Sequence, residues 1–168
     1  MGNFLSIPIL AIAAALQAGF VFQIRLLGGG PDLVFLLVIA WSINSEIEEA
    51  VVWAFVGGIC VDLLSAAPTG ASVFGLLIMV FAVSGIGRQV YRIGIIVMAG
   101  LVLVGTIIHQ IMFMIIITLA GYKVVWLTDL AYIVAPTALY NLLLIWPTYW
   151  FVRRLQRRVR GRPQSSPS

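Results

Sequence analysis

The sequence predicts an all-α integral membrane protein, a bundle of six transmembrane helices. Three observations carry that prediction. Of the 168 residues 62% are hydrophobic and only 10% are charged, against roughly 25% charged in ordinary soluble domains. Mean hydropathy is +1.10. A hydrocarbon core about 30 Å thick needs roughly 20 helical residues per crossing, so six crossings with short loops nearly use up one domain of this length.

Helix breakers and charges divide residues 1–152, the polytopic domain, into spans at 4–24, 31–44, 46–64, 71–87, 93–120 and 128–152. The remaining 153–168 form a basic tail, disordered at its end. The first span is not read as a cleaved signal peptide, because apolar segments rather than a polar domain follow it; it is expected to stay as the first helix. Within it "AIAAALQAG" sets Ala11, Ala15 and Gly19 four residues apart, a face suited to docking against another helix.

The second span, at about 14 residues, is short for a straight crossing. It is completed by Gly28-Gly29-Gly30, or tilted and shielded by neighbours, or re-entrant. Pro31-Asp32 suits a helix opening, with proline in the first turn and an acid near the positive end of the macrodipole. The third span opens with "SEIE", which fits a capping box in which Ser45 accepts from the N–H of Glu48 and Glu48 reaches back. Glu46, Glu48 and Glu49 are then a solvated helix start rather than an acidic docking patch.

The third span ends in "GGICVDLLS", and the short loop "AAPTG" leads into the fourth. Gly57 and Gly58 permit close helix approach. Gly58, Asp62 and Ser65 share one helix face, while Pro68 and Gly70 suit a tight turn. An acid in an apolar span is costly unless it faces protein or water. Asp62 therefore binds a cation or proton, accepts hydrogen bonds from the following turn, or joins two helices in an assembly; the last two are favoured, because no convergent polar groups surround it in sequence. In the fifth span "GTIIHQ" places Thr106, His109 and Gln110 on one face. Interhelical hydrogen bonding is preferred over proton relay for this lone histidine, with Asn141 of the sixth span as a partner. Trp126, Trp146, Tyr149 and Trp150 fall near span ends, where amphipathic rings anchor at headgroups.

Charge sets the orientation. Arg153, Arg154, Arg157, Arg158, Arg160 and Arg162 follow the last span, and with Arg88 and Arg92 they make eight basic residues on one side against Arg25 and Lys123 on the other. The side with eight, including both termini, is expected in the cytoplasm. Such arginines meet anionic lipid headgroups, and no nucleic acid partner is expected.

Several function classes are excluded. The single cysteine, Cys60, allows no intramolecular disulfide and no thiol-based metal cluster. There is no nucleophile elbow, zinc-protease helix, phosphate-binding loop or suggestive acid pair, so no catalytic residue, cofactor or metal is assigned. "GGG" at 28–30 lacks the preceding strand a phosphate cradle needs. No internal repeat marks an inverted-repeat transporter.

The stretch from Gly57 through Asp62 and Ser65 to Pro68 and Gly70, followed by an apolar helix, resembles the motif of the rod shape-determining MreD family. The length, short loops and arginine-rich end are similar as well, although Ala66-Ala67 stand where glycine or serine is common. The resemblance implies a non-enzymatic inner-membrane subunit of the bacterial rod complex, or elongasome. It implies binding to the bitopic protein MreC and, through it, to MreB, RodA and a class B penicillin-binding transpeptidase. It also implies a fold like the substrate-binding subunits of energy-coupling-factor transporters, and such a vitamin-binding subunit is the alternative function.

Overall fold

The computed structural model describes residues 2–20, 23, 28–65, 68–87, 95–123, 125, 128 and 130–160. They form six α-helices: α1 (Gly2–Gly19), α2 (Leu33–Ser42), α3 (Ile47–Leu64), α4 (Ala71–Gly87), α5 (Ile95–Leu119) and α6 (Ala135–Arg160). A π-helical turn at Leu130–Val134 leads into α6. No strand occurs among the described residues.

The bundle is organised around α2. Its Val34, Phe35, Leu36, Val38, Ile39, Ala40, Trp41 and Ser42 are all buried, and α1, α3, α4 and α6 all pack on it. A helix apolar on every side has to be enclosed on every side. At ten residues it rises only about 15 Å, so the short second span is a short helix shielded by its neighbours. Around it α3 packs against α1 and α4, while α5 packs against α4 and α6.

The outer faces are also apolar. On α4, Phe74, Ile78 and Phe81 are exposed while Leu76, Met79, Val80 and Val83 are buried. Ile12 and Leu16 on α1, Val104 and Ile107 on α5, and Leu139 and Leu143 on α6 extend this exposed apolar surface. A water-soluble monomer rarely shows contiguous apolar area of this kind. Among the described residues two helices are long and apolar enough to cross a bilayer, Ile96–Leu119 and Ala131–Arg158.

Three local expectations are corrected. The first helix ends at Gly19 rather than near 24. The last continues to Arg160 rather than stopping near 152, because its inner face still has something to pack on. Val152 and Gln156, one turn apart, are buried, and Gln156 Nε2 donates to the carbonyl of Trp41 at 3.2 Å. Arg153, Arg154, Arg157 and Arg158 lie on the exposed side of that same helix, with the Arg154 guanidinium 5.3 Å from the ring centroid of Trp150. The capping box is absent: Glu46 holds the N-cap position of α3 without a side-chain bond, and the Ser45 hydroxyl has no partner. Ser45 stands one residue too early to reach the first free N–H groups. Trp126, Arg88, Arg92, Ala66, Ala67 and residues 161–168 lie outside the described residues.

Candidate functional site

At one end of the bundle the last turn of α3 meets the first turn of α4. Gly57 and Gly58 let α3 approach neighbours on two sides. A Cβ on Gly57 would stand 2.9 Å from Val34 Cγ1 of α2, and one on Gly58 would stand 2.6 Å from the Val73 Cα of α4. The second contact is with backbone and cannot be relieved by a side-chain rotation.

That close approach brings Asp62 under the start of α4. Its Oδ2 accepts the N–H of Gly70 at 2.6 Å, and its Oδ1 accepts the N–H of Ser72 at 3.1 Å. The carboxylate is therefore a cap supplied by another helix, meeting two otherwise unpaired donors at the positive end of the α4 dipole. At 2% exposure it is sealed from solvent, and charge-assisted bonds of this kind are the strong ones. Ser65 stops α3, its N–H and its hydroxyl both reaching the Asp62 carbonyl at 3.3 Å. Pro68 carbonyl accepts from Ala71 N–H at 3.2 Å, and Gly70 has φ +105°, a conformation that favours glycine.

A second polar cluster lies at the start of α2. Asp32 is the N-cap, with Oδ1 accepting the N–H of Phe35 at 3.1 Å and the side-chain amide of Gln17 at 3.1 Å. Pro31 thus precedes the cap rather than occupying the first helical turn. Gln17 also accepts from Val34 N–H at 3.1 Å, so α1 holds two donors or acceptors of the α2 start. Asp32 N–H donates to Asn141 Oδ1 at 3.0 Å; Asn141 Nδ2 donates to Thr106 Oγ1 at 3.0 Å, and Thr106 donates to the Val102 carbonyl at 2.8 Å. Four helices are tied by one chain of bonds. His109 Nδ1 completes it, 3.5 Å from Asp32 Oδ2.

His109 is 7% exposed, and its ring lies against Gly75, where a Cβ would come within 2.6 Å of Cδ2. Its Nε2 has no partner. Between the two clusters is a cavity of about 290 Å³, lined on one side by Gln17, Asp32, His109 and Gln110 and on the other by Ser65 and Ser72.

The structure thus gathers Asp62, Ser65, Pro68 and Gly70 into one turn, links Thr106 to Asn141, and sets Gln110 in the cavity wall with His109. It leaves Ala11, Ala15 and Gly19 apart from all of these: they are exposed, and nothing lies within 4 Å of a Cβ on Gly19. Gln17 and Asp32 are the residues that sequence reasoning missed as site members. The available signal was a long amide at the end of an apolar helix and an acid just before the most apolar one. No group of three or more metal-ligating side chains is present among the described residues.

The comparison that decides the family covers nearly the whole chain: the model for rod shape-determining protein MreD matches residues 1–159. The chain belongs to the MreD family. No curated protein and no solved structure matches it. Membership in the MreD family makes it a rod shape-determining membrane protein, and the matched region takes in both polar clusters and, but for Arg160 at the end of α6, all the described helices.

Proposed function

We propose that this chain is a non-enzymatic, six-crossing subunit of the bacterial rod complex in the cytoplasmic membrane, supporting lateral peptidoglycan synthesis by binding an MreC-like bitopic protein. Through that partner it serves MreB, RodA and a class B penicillin-binding transpeptidase. The observation that carries the reading is the use made of Asp62. Its two oxygens are taken by the Gly70 and Ser72 N–H groups, so the motif fixes the shape of the α3–α4 turn instead of handling a proton or an ion.

The exposed Ala11, Ala15, Gly19 stripe on α1 is the helix-docking face, since small residues let a second helix approach closely where lipid provides no hydrophobic drive. Both termini are cytoplasmic by the eight-to-two distribution of basic residues, and the cavity end of the bundle then faces outward. The arginines on the exposed side of α6 sit at the inner headgroups, each contributing about 1 kcal/mol of attraction to anionic lipid.

The test is co-expression of a tagged copy with the products of its own operon, gentle solubilisation and identification of what co-purifies in stoichiometric amount. A bitopic MreC-like protein is expected. Recovery of ATPase-linked membrane subunits instead would reject the scaffold reading in favour of vitamin uptake.

A further inference from the structure

The exposed side of α6 is graded along its length. Leu139, Leu143, Trp146 and Trp150 all face outward, at steps of four, three and four residues that keep them on one stripe. Arg153, Arg154 and Arg157 continue it and are exposed as well. At a helical rise of about 1.5 Å per residue, Leu139 lies roughly 16 Å along the axis from Trp150, close to half of a hydrocarbon core about 30 Å thick. The three arginines follow within roughly 10 Å of Trp150, at headgroup level.

The helix presents these arginines from a fixed position. Val152 and Gln156 on its opposite side are buried, and Gln156 is bonded to the Trp41 carbonyl, so this segment is docked on the end of α2. Trp150, Arg153, Arg154 and Arg157 enclose a groove of about 340 Å³, with the Arg154 guanidinium 5.3 Å from the Trp150 ring centroid. Like charges three and four residues apart on a helix repel, and the chain does not relieve them: among the described residues no ion pair joins these arginines to a carboxylate. Asp129 precedes the turn that opens α6, and residues 161–168 add Arg162 and no acid. Every basic residue after Lys123 is an arginine, whose planar fork takes phosphate oxygens in pairs.

We propose that this groove is a specific site for one phospholipid carrying two phosphates, its acyl region lying along Leu139, Leu143 and Trp146. With Arg154 set against Trp150, Arg153 and Arg157 remain, one for each phosphate. The stripe passes from apolar through aromatic to basic in the order in which a lipid presents tail and headgroup, which an acidic protein segment does not match. The inference rests on the headgroup-level placement of the α6 end proposed above and gives that placement a defined, stoichiometric ligand.

The test is native mass spectrometry of the full chain in mild detergent, with cardiolipin as the two-phosphate probe and phosphatidylglycerol as its one-phosphate counterpart. One retained cardiolipin is expected, bound at least about tenfold more tightly than phosphatidylglycerol. Arg153→Gln combined with Arg157→Gln should weaken cardiolipin about tenfold or more. Arg158→Gln removes one charge from an exposed residue outside the groove and should change binding by less than about twofold. Melting temperatures show whether each variant folds, and if the double variant does not, Arg157→Gln alone decides. Equal binding of the two lipids, retention of cardiolipin by the double variant, or an equal loss with Arg158→Gln overturns the proposal. So does a double variant that loses a protein partner while its cardiolipin affinity is unchanged, which would assign the arginines to an acidic protein. Binding in detergent depends neither on orientation in the cell nor on the MreC-like partner, so this result and the scaffold reading fail independently.

Discussion

The carboxylate of Asp62 accepts the backbone N–H of Gly70 at 2.6 Å, across eight residues of chain. A side chain at the end of one helix thereby caps the next. With Gly58 pressed against Val73 a turn deeper, the α3–α4 pair is fixed at two points.

Asp62→Ala removes both acceptors and leaves the Gly70 and Ser72 N–H groups to find others. The expected cost is on the order of 3 kcal/mol, read as a lower melting temperature and a reduced yield of folded protein. Asp62→Asn, which keeps one acceptor oxygen, should fall between. Unchanged melting and partner association in Asp62→Ala would remove the structural role assigned to the motif.

Gly58→Leu and Ala15→Leu separate packing from docking. The first drives side-chain atoms into Val73 backbone and is expected to cost about 1–3 kcal/mol or more through overpacking. Ala15 is exposed, so its leucine variant should melt like the parent yet recover much less MreC-like partner. Full partner recovery with Ala15→Leu moves the docking face elsewhere.

Asn141→Leu cuts the chain of bonds between Asp32 and Thr106. Interhelical hydrogen bonds within membranes average about 0.6 kcal/mol, with a maximum near 1.7, so losing two should destabilise by about 1–2 kcal/mol. Thermal melting of the purified protein checks this; a loss well above that range would show that Asn141 does more than link α2 to α5.

Orientation is testable at single residues. In a Cys60→Ala background, Thr69→Cys is expected to react with a membrane-impermeant maleimide added to intact cells, and a cysteine at Arg158 only after permeabilisation. The reverse pattern would invert the topology.

How much of this was legible in the sequence varied with how local the signal was. The all-helical class and the approximate helix positions follow from composition and breakers, and the Asp62 turn follows from four polar or special residues within nine positions. The start of α2 was less legible, because Pro31-Asp32 is explained locally as a helix opening. That explanation hides the contacts from Gln17 and Asn141, which depend on packing between distant segments. Gln156 was hidden for a different reason: among five nearby arginines it looks like part of a solvated tail, and only its spacing from buried Val152 shows otherwise. Ser45 misled because a capping box is a four-residue pattern, satisfied in sequence even when the helix begins one residue later.

Both ends of α2 are held by the last helix, through bonds that span 109 and 115 residues. The ribosome has therefore made almost the entire chain before the central helix can be locked. Until α6 arrives, the N–H of Asp32 and the carbonyl of Trp41 lack those partners, in a setting where an unpaired backbone group is costly. A polypeptide released before α6 is made keeps that defect at its centre.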